Sequence, residues 1–215
     1  MKYFIVGLPK SGTTTLHEAF NCSGIPSVHW KCRRTDRFVG RVIYNNFFND
    51  RLIFKSLEEY EAITQADFLG KIRSLWPQCH FALLRKIRLQ YPECTFILNY
   101  RNPAHVVKSI ETWRGPSKLG PMLERFSNLG APGLPAEYVR RNDALRNWIE
   151  NHYEFIRYIM RDDPKFVEYD IEDPNAKSVL ENRLGISLAW WGRANETLPK
   201  QSDGPEFAGS GISRP

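Results

Sequence analysis

The sequence predicts an α/β fold of three layers, α/β/α, with a central, mainly parallel sheet. Three observations carry this expectation. Short β-rich runs, led by Lys2–Val6 and Thr95–Tyr100, alternate with segments whose apolar residues recur at helical spacing. That alternation favours parallel strands joined by crossover helices. Of 215 residues, 42% are hydrophobic, enough to bury one substantial core. One domain is therefore expected over residues 1–198, with a polar, glycine-rich and mobile tail at 199–215.

Each element follows from local pattern. Lys2–Val6 is a short strand that ends at Gly7 and a glycine-containing loop. Thr13–Phe20 reads as a helix, with Leu16, Ala19 and Phe20 on one face. A second strand is expected at Pro26–Lys31. Basic residues follow (Lys31, Arg33, Arg34, Arg37 and Arg41), then a helix through Tyr44–Phe48. The next stretch suggests a helix near Leu57–Ile63 and a loop or short helix after Asp67. Ala82–Gln90 reads as a helix that Tyr91-Pro92 stops. Thr95–Tyr100 is the clearest inner strand, and Pro103 opens a helix carrying Val106, Val107 and Ile110. Gly115–Pro135, with prolines at 116, 121, 132 and 135, reads as a long loop or lid. A long amphipathic helix is expected at Ala136–Met160, a strand at Lys165–Tyr169 and a helix at Asn175–Leu184.

Composition narrows the function. Thirty Lys and Arg against 24 Asp and Glu give a net charge of +6, which favours anionic partners. No groove-reading or base-stacking motif accompanies that charge, so nucleic acid is set aside. Cys22, Cys32, Cys79 and Cys94 are scattered, with neither metal-ligand spacing nor the density of a disulfide framework. They read as buried thiols, and no metal site is expected. No apolar run approaches the ~20 residues of a membrane helix. The N-terminal segment lacks the pattern of a secretory signal, so a cytoplasmic protein is expected.

The richest chemistry lies at Val6-Gly7-Leu8-Pro9-Lys10-Ser11-Gly12-Thr13-Thr14-Thr15, between the first strand and the first helix. The first N–H groups of a helix lack internal partners and lie at the positive end of its dipole, which suits an anion. Gly7 and Gly12 are spaced as in a Walker A loop. The lysine of that loop would follow the second glycine, where this chain has Thr13; its lysine is Lys10, inside the turn. A plain capped junction needs only one hydroxyl. One Lys, one Ser and three Thr at a single junction favour the anion site. The segment Pro9–Thr14 resembles the 5′-phosphosulfate loop of sulfotransferases that use 3′-phosphoadenosine-5′-phosphosulfate (PAPS).

A second element is Phe96-Ile97-Leu98-Asn99-Tyr100-Arg101-Asn102-Pro103, with Ser109 in the helix that follows. The carboxyl ends of parallel strands are where such sheets bind ligands. A guanidinium there suits a phosphate through paired N–H donors. Strand-Arg-Asn-Pro followed by a serine resembles the 3′-phosphate element of the same family. Residues 165–170 and 184–195 are similar to bacterial-type sulfotransferase chains.

The resemblance implies a P-loop NTPase-like fold. It also implies transfer of a sulfuryl group from PAPS to a hydroxyl or amine of an unidentified small-molecule or glycan acceptor, releasing PAP without a metal. Lys10, Ser11, Gly12, Thr13, Thr14, Arg101 and Ser109 would bind the donor, and Lys10 would also stabilise the breaking bond. His80, ahead of the helix that leads into the Arg101 strand, is similar in placement to the catalytic histidine of the cytosolic branch. His29, Asp67 and Glu61 are the alternatives for the proton acceptor. Many family members close a late basic loop over the 3′-phosphate; here either Arg193 or Arg214 substitutes, or the closing contact is missing. Trp30, Trp76, Trp113, Trp190 and Trp191 could line an acceptor pocket or fill the core. A nucleotide kinase predicts a lysine after Gly12 and an acidic magnesium ligand. A non-catalytic PAP or PAPS binder remains the third reading.

Overall fold

In the computed structural model, which describes residues 1–114, 120–141 and 143–194, five parallel strands form the central sheet. They are β1 (Tyr3–Ile5), β2 (Ser27–His29), β3 (Ala62–Gln65), β6 (Thr95–Tyr100) and β7 (Phe166–Asp170), in the spatial order β2-β3-β1-β6-β7. A short antiparallel ribbon, β4 (Phe68–Leu69) with β5 (Ser74–Leu75), stands apart from the sheet. The helices are α1 (Thr13–Cys22), α2 (Val39–Phe48), α3 (Phe81–Gln90), α4 (Pro103–Thr112), α5 (Met122–Leu129), α6 (Ala144–Met160) and α7 (Ala176–Leu184).

The period-2 alternation of a strand explains the layers. On β1, Tyr3 and Ile5 point to one face and Phe4 points to the other, where Val6 joins it. The first face is covered by α1 through Leu16, Ala19 and Phe20, and by α7 through Ala176 and Leu180. The second is covered by α2 to α6, with Ile43, Leu84, Val106, Phe126 and Ile156 all within 1% of full burial. Each large apolar side chain so buried contributes roughly 1.5–3 kcal/mol. The sheet is thus sealed on both sides, and ligands can reach it only at the strand ends.

Three expectations need correction. Residues 62–65 form β3, not the end of a helix from Leu57: Ala62 and Ile63 pair with Tyr3 and Phe4 of β1, and β2 pairs on the other side. A central strand buried on both faces shows an unbroken apolar run, which periodicity cannot tell from a helix. The stretch Gly115–Pro135 holds the helix α5, whose Met122 and Phe126 are buried. The helix expected from Ala136 begins at Ala144, after a single 3-10 turn at Ala136–Tyr138. The tail 199–215 lies outside the described residues.

Candidate functional site

The β1–α1 loop and the β6 exit meet at the carboxyl ends of adjacent strands. β1 continues toward β2 and β6 toward β7, on opposite sides, so a crevice opens between them. Asn99, fully buried on β6, donates through Nδ2 to the Ser11 carbonyl at 2.7 Å and to Ser11 Oγ at 2.8 Å. Ser11 Oγ in turn donates to the Leu8 carbonyl at 2.5 Å. Gly7 is required here, because a Cβ at that position would overlap Asn99 Oδ1. Gly12 is required as well: its φ is 89°, and a Cβ would lie 2.6 Å from Ile171 Cγ1. α1 starts at Gly12 with no side chain capping it, which leaves its N-terminus for a ligand.

Lys10 adopts a left-handed φ of 72°, uncommon outside glycine. Its carbonyl accepts from Arg101 Nη1 at 2.9 Å. Arg101 also donates Nε to Glu172 at 2.9 Å, while the Glu172 carboxylate takes His105 Nδ1 and the Asn102 amide. Burial pulls the Lys10 ammonium down from 10.5 to about 8, and the Arg101 charge adds to that. Its Nζ lies 5.3 Å from the Trp113 ring centroid.

A cleft of about 1060 Å³ runs over this junction. Lys10, Gly12, Thr13, Thr14, Arg101 and Ser109 line it together, so the residues expected to bind one ligand converge. Ser11 lies beneath them and holds the loop to β6 rather than facing the cleft. Asp67, Phe68, Leu69, Trp113, Met122 and Arg125 line the same cleft. Trp30 and Trp191 also line the cleft, whereas Trp76 is core, edge-on to Trp148, and Trp190 packs at the margin of the α1/α7 layer. Arg193 lines the rim. Arg214 lies outside the described residues.

The candidate proton acceptors separate. His80 is not in the cleft. It caps α3, where Nδ1 accepts from the Leu83 amide at 3.2 Å, and its ring meets those of Tyr44 and Phe47 edge-on. Glu61 sits beyond the amino ends of the strands, paired with Lys2 at 2.8 Å. His29 reaches the cleft, but Nδ1 faces Thr64 Oγ1 at 3.2 Å and Nε2 faces Thr14 Oγ1 at 3.4 Å. The Thr64 hydroxyl donates to the Val28 carbonyl, so it accepts from His29 Nδ1–H. Burial, with the charges of His17 and Lys10 adding, pushes His29 down to about 3. Asp67 is 3% exposed and lines the cleft. Its oxygens accept from Gln65 Nε2 at 3.0 Å and Gln78 Nε2 at 3.3 Å, and Gln65 Oε1 accepts from Thr13 at 3.1 Å. Burial raises Asp67 from 3.8 to about 6, against the pull of those hydrogen bonds.

Sequence reasoning missed Asn99, Gln65, Glu172 and Arg125. For Asn99 a signal existed: an amide inside the apolar run Phe96–Leu98 must find a partner. A family model described as a sulfotransferase domain matches residues 2–181, which spans β1 into α7 and includes the whole of this junction. No curated protein matches the chain.

Proposed function

The chain belongs to the sulfotransferase domain family, and we propose that it moves a sulfuryl group from PAPS to an acceptor hydroxyl or amine, releasing PAP. The observation that carries this reading is the convergence of Lys10 and Arg101, from separate segments, on one cleft. The uncapped start of α1 suits the 5′-phosphosulfate. Arg101 and Ser109, half-buried on the β6–α4 side, suit the 3′-phosphate.

Sulfuryl transfer is in-line displacement with charge spread over three oxygens, so positioning and charge stabilisation do most of the work. The acceptor oxygen attacks sulfur, its proton passes to a base, and the bond to the bridging oxygen breaks with its electron pair left on PAP. Lys10 holds a cation against that developing negative charge. Asp67 takes the proton in place of His80: it lines the cleft, and a pKa of about 6 suits a base near neutral pH. His29 instead positions Thr14, since both its ring nitrogens already face hydroxyls.

A thermal-shift titration of the full chain with PAP and with ATP·Mg²⁺ tests the reading. Stabilisation by PAP is expected. Stabilisation by ATP·Mg²⁺ with none by PAP would favour a kinase. Transfer from labelled PAPS then separates an enzyme from a mere binder.

A further inference from the structure

At the β4 end of the cleft, two opposite charges are buried without pairing to each other. Arg125, on α5, is 6% exposed. Its Nη1 donates to the Leu69 carbonyl, while Nε and Nη2 are buried and have no partner among the described residues. Those two nitrogens form one edge of the guanidinium, the edge that meets a carboxylate or sulfate through two parallel N–H···O bonds. A buried, unpaired donor edge is costly, and a ligand anion would relieve that cost. Asp67 stands in the same wall with its oxygens turned to Gln65 and Gln78. Both residues line the cleft.

The Trp113 ring ties this corner to the reaction centre. Its centroid lies 5.2 Å from the Arg125 guanidinium and 5.3 Å from Lys10 Nζ. Phe68, tilted against Phe38 with ring centroids 4.2 Å apart, supplies a second aromatic wall. Flat apolar surfaces, a carboxylate and a guanidinium with an unpartnered, buried edge thus border one space.

We propose that this corner is the acceptor site, and that it selects a flat hydroxyl compound carrying an oxyanion, a carboxylate or a sulfo group. The paired edge of Arg125 grips the oxyanion while the hydroxyl meets Asp67. This rests on the sulfuryl-transfer reading above. Burial pulls Arg125 below its ordinary value, with the Asp67 charge opposing, as expected of a cation that lacks a close anion.

Calorimetry on the PAP-saturated full chain tests it, with 4-hydroxyphenylacetate, its methyl ester and 4-hydroxybenzenesulfonate as probes. The wild type should bind at least one of the two anions about tenfold more tightly than the neutral ester; which anion wins distinguishes a carboxylate from a sulfo acceptor. Arg125→Gln should remove the preference and leave PAP affinity within about twofold. Arg125→Lys keeps the charge but loses the paired edge, so it should lose most of the preference; it also carries the test if the glutamine variant does not fold. Equal binding of anions and ester, binding of no probe, or survival of the preference in Arg125→Gln would each overturn the proposal. Weakened PAP binding in that variant would overturn it too, by assigning the edge to the donor. Absence of PAP binding by the wild type would overturn the donor reading and this one together. PAP binding without an anion preference would overturn this one alone.

Discussion

Arg101 Nη1 donates to the carbonyl oxygen of Lys10 across 2.9 Å, joining residues 91 positions apart in the chain. The contact makes Arg101 a brace for the loop, beside the phosphate-binding role proposed for it. Arg101→Ala should therefore weaken PAP binding roughly 100-fold, the loss of two charge-assisted hydrogen bonds. Arg101→Lys should rescue little, since one ammonium cannot serve Glu172, the Lys10 carbonyl and a phosphate at once. Calorimetric titration with PAP checks both.

Lys10 gives a pH signature. With its pKa near 8, it is charged at neutral pH and loses its proton as pH rises through 8. PAP affinity should fall across pH 7–9 in the wild type. Lys10→Arg, charged throughout that range, should flatten the fall. For stability the sign is opposite to an ordinary lysine pair. The folded pKa lies below the unfolded one, so the charged form is disfavoured by folding and stability rises between pH 8 and 10.5. Lys10→Met should raise the melting temperature at pH 7 by roughly 2–4 °C, scaled to about 1 kcal/mol because the group is still partly exposed.

Asp67 and His80 can be told apart by one pair of variants. Asp67→Asn should abolish most turnover, roughly 100-fold or more, while PAP binding persists. The wild-type rate should rise with pH through about 6, as Asp67 loses its proton. His80→Ala should leave turnover within about twofold and lower stability by about 1 kcal/mol through loss of the α3 cap. Loss of turnover in His80→Ala alone would reverse the assignment.

Gly7 tests the packing beneath the loop. Gly7→Ala drives a methyl into Asn99, which is fully buried and tied to Ser11. A loss of about 2–3 kcal/mol is expected, with weaker PAP binding. Gly24→Ala is the control: φ is 74° there, but nothing lies within 4 Å, so only about 1 kcal/mol of backbone strain is expected. Urea unfolding measures both.

The cleft residues of the β1–α1 loop and the β6 exit were legible because their pattern is local. Lys10, Gly12 and the threonines stand in one run, and Arg101 follows a strand with a clear pattern. The residues on the Asp67 side of the cleft were not. Gln65, Asp67 and Arg125 come from β3, the connection after it and α5, and only the chain's path through space brings them to one cleft. β3 itself hid behind its burial on both faces. α5 hid in a stretch where glycine and proline outweigh a short helix pattern, although Met122 and Phe126 anchor it to the core. For His80, position along the chain suited a base, but the fold turns its ring back to cap its own helix.

The seating of Gly12 against Ile171, and of Arg101 against Glu172, has a consequence for biosynthesis. The glycine loop leaves the ribosome well before its supports, since Ile171 follows Gly12 by some 160 residues and Glu172 follows Arg101 by some 70. A nascent or prematurely ended chain that stops before β7 would carry every motif residue and still lack the floor and buttress that shape them. The proposed competence to bind the nucleotide should thus arrive late and abruptly during translation, as β7 docks.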